Sequence, residues 1–150
     1  MRIDVLFLVA LRLGLTLFLS FLLRSAHADS ATWSLNPTND NWNTAANWTP
    51  ATVPNSSTAI ATFGTSSITD VFLSGPIQVG AIVFNPGASA YTIAASPEPA
   101  LRLMGAGIVN NSGIVQNFVS GSTTGAYAKI AFYNFATAGE PYFLHRLRRR

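Results

Sequence analysis

A chain of 150 residues is long enough for one domain and short for two, and its 49% hydrophobic content is ample for a core. The net charge of +3 and pI near 9.8 come from the two ends: Arg2, Arg12 and Arg24 at the start, Arg146, Arg148, Arg149 and Arg150 at the finish. Between Asp29 and Leu144 only Arg102 and Lys129 are basic, which excludes a continuous cationic surface for nucleic acid, and the absence of cysteine excludes disulfides, thiolate metal sites and thiol chemistry.

Residues 1–28 come first. Arg2 precedes an apolar run over residues 5–23, and Ser25-Ala26-His27-Ala28 places small residues two apart just before Asp29. This is the pattern of a secretory signal peptide, with Ala26 and Ala28 filling the two shallow pockets of the peptidase and Asp29 becoming the new N-terminus. An uncleaved anchor is the competing reading. Arg12 in mid-run counts against it, because a charge at the bilayer centre costs on the order of 2.5–3.5 kcal/mol on insertion scales. The expectation is an exported chain whose mature part does not span the membrane and whose first partner is the secretion machinery.

Next comes a segment rich in Trp and Asn. Trp33, Trp42 and Trp48 stand among Asn41, Asn43 and Asn47. Exposed indoles flanked by amides would make a platform for sugar rings, so a carbohydrate-binding module on Trp33, Trp42 and Trp48 is one reading. The other, which the position near the start favours, is a cap in which the indoles cover the open end of a core.

Beyond that segment no helix is expected, since Gly, Pro, Asn and Ser interrupt the chain every few residues. Strands are predicted over 58–63, 68–74, 77–84, 90–94, 100–104, 114–119 and 128–133, separated by turn clusters such as Asn85-Pro86-Gly87 and Asn110-Asn111-Ser112-Gly113. Short strands at steady spacing predict an all-β fold, either a parallel β-helix (β-solenoid) or a β-sandwich. An echo favours the solenoid: Ile60-Ala61-Thr62-Phe63, Ile82-Val83-Phe84 and Ile130-Ala131-Phe132 share a pattern. Residues 29–139 form the expected solenoid segment. Residues 140–150, with four arginines in the last five, lack strand periodicity and are expected to be a disordered, aberrant tail of a truncated or frame-shifted product.

The stretch from Trp33 to Val119 resembles the passenger regions of bacterial proteins with the autotransporter-associated β-strand repeat. The resemblance rests on Trp33 and Asn36-Pro37, Asn41-Trp42-Asn43-Thr44-Ala45-Ala46-Asn47-Trp48, Val53-Pro54-Asn55, Ala61-Thr62-Phe63, Ile82-Val83-Phe84-Asn85-Pro86-Gly87-Ala88, Tyr91-Thr92-Ile93 and Leu103-Met104-Gly105-Ala106-Gly107-Ile108 before Asn111-Ser112-Gly113. It implies a right-handed parallel β-helix at the start of a secreted or cell-surface protein, outer-membrane associated in longer relatives, with a display or adhesin-like role toward a polysaccharide or a host surface. It implies no catalytic residue and no cofactor.

The residues agree that an enzyme is not expected. Asp29 to Leu144 contains no histidine, which removes Ser-His-Asp triads, His-ligated metals and the commonest general base. Glycoside hydrolysis needs two carboxyl groups about 5–9.5 Å apart, and Asp40, Asp70 and Glu98 are spaced unlike one solenoid coil. No metal site is expected. The sequons at Asn47, Asn55 and Asn110 carry no weight in so Asn-rich a chain, and Gly105-Ala106-Gly107 lacks the helix and Lys of a phosphate loop.

Overall fold

The computed structural model describes residues 29–95, 100–123, 126–139 and 142–146. Ala26 and Ala28 of the expected cleavage site therefore lie outside the described residues, and Asp29 is the first residue within them.

The fold is all-β. Strands β1 (Ala31–Trp33), β2 (Trp48–Thr49), β3 (Ser56–Phe63), β4 (Asp70–Leu73), β5 (Ile77–Phe84), β6 (Thr92–Ala95), β7 (Ala100–Asn110), β8 (Gln116–Ser120), β9 (Ser122–Thr123), β10 (Ala126–Tyr127), β11 (Lys129–Phe132) and β12 (Tyr142–Arg146) follow one another, and among the described residues a 3-10 turn at Ala45–Asn47 is the only helical element. Period-two alternation explains them. In β4, Val71 and Leu73 are buried while Asp70 and Phe72 face out, and β6 alternates in the same way.

Six strands make one sheet in the order β11-β7-β5-β3-β1-β2, and four make a second in the order β12-β8-β6-β4. From β3 to β8 each strand enters the sheet its predecessor did not, and β11 and β12 continue the alternation. All of these neighbours pair in parallel. The antiparallel pairs are β1 with β2 and β9 with β10. Side chains tie successive passes together: Asn55 Nδ2 donates to the Pro76 carbonyl 21 residues on, Thr65 Oγ1 to Gly87 at 22, Tyr91 N–H to Gln116 Oε1 at 25 and Asn134 Nδ2 to Met104 at 30, so the return lengthens along the chain.

The pairing register of the long sheet shifts along one line. Pairing slips between Val79 and Ala81 on β5, where β3 and β7 each carry additional residues. Gly80 sits at this shift, and a Cβ there would lie 2.9 Å from the Ser57 carbonyl oxygen. No side chain fits so close to a neighbouring backbone, which explains glycine at this point.

The inward residues of both sheets form one core, running from Trp33, Trp42 and Trp48 through Phe63, Phe84, Tyr91, Leu101 and Leu103 to Phe118. Phe63 and Phe84, register partners on β3 and β5, stack with centroids 5.3 Å apart. Two residues of the sequence echo therefore sit side by side. The third copy does not join them, because Ile130 and Phe132 pair with Leu101 and Leu103 of β7, in register with Ile77 and Val79 rather than with the Phe84 column.

Two further differences stand out. The strand expected at 77–84 falls where β5 does, but β1 and β2 went unpredicted, because two or three residues carry no readable period. The tail is also corrected: Tyr142–Arg146 form β12, paired in parallel with β8 from Tyr142 opposite Gln116 to Arg146 opposite Ser120. The free edge of β8 offers a row of backbone donors and acceptors, and a strand pairs with these whatever the charge of its side chains. Residues 140–141 and 147–150 lie outside the described residues.

Candidate functional site: the tryptophan cluster

The three tryptophans meet where β1 and β2 close the long sheet. Trp33 ends β1 and Trp48 opens β2, and the two are direct register partners. Trp42 arrives from a loop held to the second sheet by an isolated parallel bridge between Asn41 and Phe72, with Trp42 N–H donating to the Phe72 carbonyl at 2.8 Å. Trp48 packs edge-on against Trp33 at 5.0 Å and Trp42 at 4.9 Å between centroids, and Phe63 lies beneath all three. Such edge-to-face contacts add about 0.5–1.5 kcal/mol per pair beyond area burial.

Each indole N–H is satisfied internally. Trp33 Nε1 donates to the Ile68 carbonyl at 3.0 Å, Trp42 Nε1 to Pro54 at 3.2 Å, and Trp48 Nε1 to Trp42 at 2.7 Å. Trp42 is 0% exposed, and Trp33 and Trp48 are each 2% exposed. The sugar platform expected on Trp33, Trp42 and Trp48 is thereby corrected. Stacking on a pyranose needs an open ring face, and these faces are covered by one another and by Phe63.

Asn47 is the polar keystone of the cluster and is fully buried. Its Oδ1 accepts from Thr38 N–H and Thr38 Oγ1, both at 2.8 Å, and from Asn39 N–H at 3.4 Å. Its Nδ2 donates to the Asn39 carbonyl and Oδ1 and to the Asn41 carbonyl at 2.8–3.0 Å. A loop that cannot use strand pairing is thus tied to one amide, which both donates and accepts. Asn41 and Asn43 are committed as well, since their Oδ1 atoms accept from the Ser74 hydroxyl at 3.0 and 3.2 Å. The Asn47 amide is used on both sides, and the side-chain carbonyl oxygens of Asn41 and Asn43 are engaged by Ser74.

Farther along, Gln116 repeats the device. Its buried Oε1 accepts from Tyr91 N–H at 2.8 Å, and its Nε2 donates to Ser89 O and Ser112 Oγ. Tyr91 donates its hydroxyl to the Gly64 carbonyl at 2.8 Å, and burial pushes its pKa up to about 12, partly offset by the Ser66 side chain. Sequence reading did not single out Gln116 or Asn47 as buried, and composition offered no signal, because Asn and Gln are usually exposed.

Among the described residues, no three His, Asp or Glu side chains come together where they could hold a metal ion, and no helix is long and apolar enough to cross a membrane. No protein family, curated protein or solved structure matches the chain.

Proposed function

We propose that residues 29–139 are a parallel β-helix segment of an exported, surface-displayed structural module of the autotransporter-passenger kind, without catalytic function. The observation that carries this reading is the alternation of β3 to β8, continued by β11 and β12, between two sheets in which these strands pair in parallel, the antiparallel pairs β1–β2 and β9–β10 standing outside it. A sandwich is built from antiparallel neighbours, whereas parallel return after each pass is how a solenoid stacks its coils. The separations of 21–31 residues between bonded residues on successive passes suit coils of unequal length stacked on one another. The tryptophan cluster supports the same picture, because a solenoid needs its end covered by something that does not continue the stack. In this reading the module extends and displays, and adhesion to a polysaccharide or host surface is its use.

Export is the part most directly tested. Expressed in a Gram-negative host with an intact secretion pathway, the protein outside the cytoplasm should begin at Asp29 by intact mass. Exported material that retains Met1 would overturn cleavage and point to a membrane anchor.

A further inference from the structure

Arg102 and Lys129 are the only basic residues between Asp29 and Leu144. They are distant in sequence, yet β7 and β11 are neighbours in the long sheet. Ala131 lies opposite Arg102 and Ala100 opposite Lys129, so the two cations stand diagonally across one strand pair. Both are exposed, whereas Leu101 and Leu103 between and beyond them are buried, so both point away from the core. On the other side of β7, Gln78 of β5 is the register partner of Arg102. An open groove of about 310 Å³ runs along this face, lined by Asn55, Pro76, Ile77, Gln78 and Arg102. Asn55 is held in place, its Oδ1 accepting from Gln78 N–H at 2.9 Å. Among the described residues no carboxylate or hydrogen-bond acceptor occupies Arg102 or Lys129.

We propose that this outer face, with Arg102 and Gln78 at its centre and Lys129 beside them, is a binding site for uronate units of an acidic polysaccharide. A guanidinium presents a planar fork that matches a carboxylate with two parallel hydrogen bonds. Gln78 beside it offers a donor and an acceptor to ring hydroxyls. Diagonal positions on neighbouring strands lie about 7–8 Å apart, a gap that the long flexible side chain of Lys129 spans, so Lys129 reaches a second carboxylate along the same sugar chain. The small side chains of Ala100 and Ala131 leave the space between the cations open. Two cations release too few counterions for useful nucleic-acid affinity. A protein partner would need an aromatic or aliphatic anchor pocket, and the groove is lined mainly by polar groups. The site stands whether or not the chain is displayed at a surface.

The test is calorimetric titration of the full chain with trigalacturonate and with its neutral methyl ester. The acid should bind weakly but measurably and the ester at least tenfold more weakly, with affinity falling as salt rises. Arg102→Gln should reduce affinity for the acid at least tenfold and Lys129→Gln severalfold. Arg102→Lys should fall between wild type and Arg102→Gln, since it keeps the charge and loses the fork. Both positions are exposed, so thermal unfolding of the variants should match the parent. Equal binding of acid and ester, no heat with the acid at millimolar concentration, or an unaltered Arg102→Gln would each overturn the proposal. Equal competition by hexaglutamate would overturn the sugar assignment in favour of acidic protein segments.

Discussion

The two ends of the long sheet hold aromatic residues in opposite states. At the β1–β2 end, Trp33, Trp42 and Trp48 are at most 2% exposed, with every indole N–H bonded to a backbone carbonyl. At the β11 end, Ile130 and Phe132 are only partly buried, Tyr133 is 45% exposed and Phe135 is 95% exposed. Hydrophobicity does not separate these residues. What differs is the number of layers around them: the tryptophans lie between both sheets and a loop fastened by Asn47, whereas Tyr133 and Phe135 sit in a turn that no described strand covers. Burial is a property of the surroundings, which a residue's own identity only favours.

The largest effect should come from breaking the sealed end. Trp42→Ala should cost about 3–5 kcal/mol, the usual loss for a large core aromatic, read from the urea midpoint, whereas Phe135→Ser should stay within about 0.5 kcal/mol. If the two variants unfold at similar denaturant concentrations, the contrast between the ends is not energetic.

A more selective break is Asn47→Asp, which hardly changes volume. Below the carboxyl's own titration the protonated acid keeps one donor. At neutral pH the carboxylate would face the Asn39 carbonyl and Oδ1 and the Asn41 carbonyl without any donor of its own. The expected loss at pH 7 is about 3 kcal/mol, from several unsatisfied or repelled partners at about 1–3 kcal/mol each. The variant should recover stability on acidification while the parent does not. No pH-dependent difference would remove Asn47 as the fastening of the loop.

Tyr91 lies between the two ends, 5.0 Å from Phe63 and 5.8 Å from Phe84 by ring centroid. Its pKa rises from 10.0 to about 12 in the fold. Between those values the unfolded chain has lost the phenolic proton and the folded chain retains it, so stability falls as pH rises through that window and is unaffected below it. Two pH units correspond to on the order of 2–3 kcal/mol. Urea midpoints from pH 9 to 12 should show this decline in the parent and a shallower one in Tyr91→Phe. Parallel declines would mean that the ring's hydroxyl is not sealed from water.

Strand content was readable because period-two alternation is local. Ile77–Phe84 reads as a strand before any partner is known, since Ile77, Val79, Ala81 and the residues around them alternate or run apolar between Gly75-Pro76 and Asn85-Pro86. The turns were readable for the same reason: Gly87 and Gly113, which end the expected clusters Asn85-Pro86-Gly87 and Asn110-Asn111-Ser112-Gly113, take positive φ of 75° and 78°. Among the described residues, the near-absence of helix followed from Gly, Pro and Asn acting on their immediate neighbours.

Partnership was not readable. Whether Phe63 lies on Phe84, whether Ile130 joins that column or the one beside it, and whether Tyr142–Arg146 finds an edge to pair with all depend on where the chain returns after some 21–31 residues. A bulge of one or two residues changes that return without altering any local pattern, as the slipped register beside Gly80 does. The indoles of Trp33, Trp42 and Trp48 could have faced water or one another on sequence grounds alone. The closing of β1 on β2 and the six hydrogen bonds of Asn47 turned them inward, because a buried amide must satisfy both its donors and its acceptor in one geometry. Arg102 and Lys129 became neighbours by the same route. Local alternation set which side of each strand faces out, and only the parallel pairing of β7 with β11 set which outward residues meet.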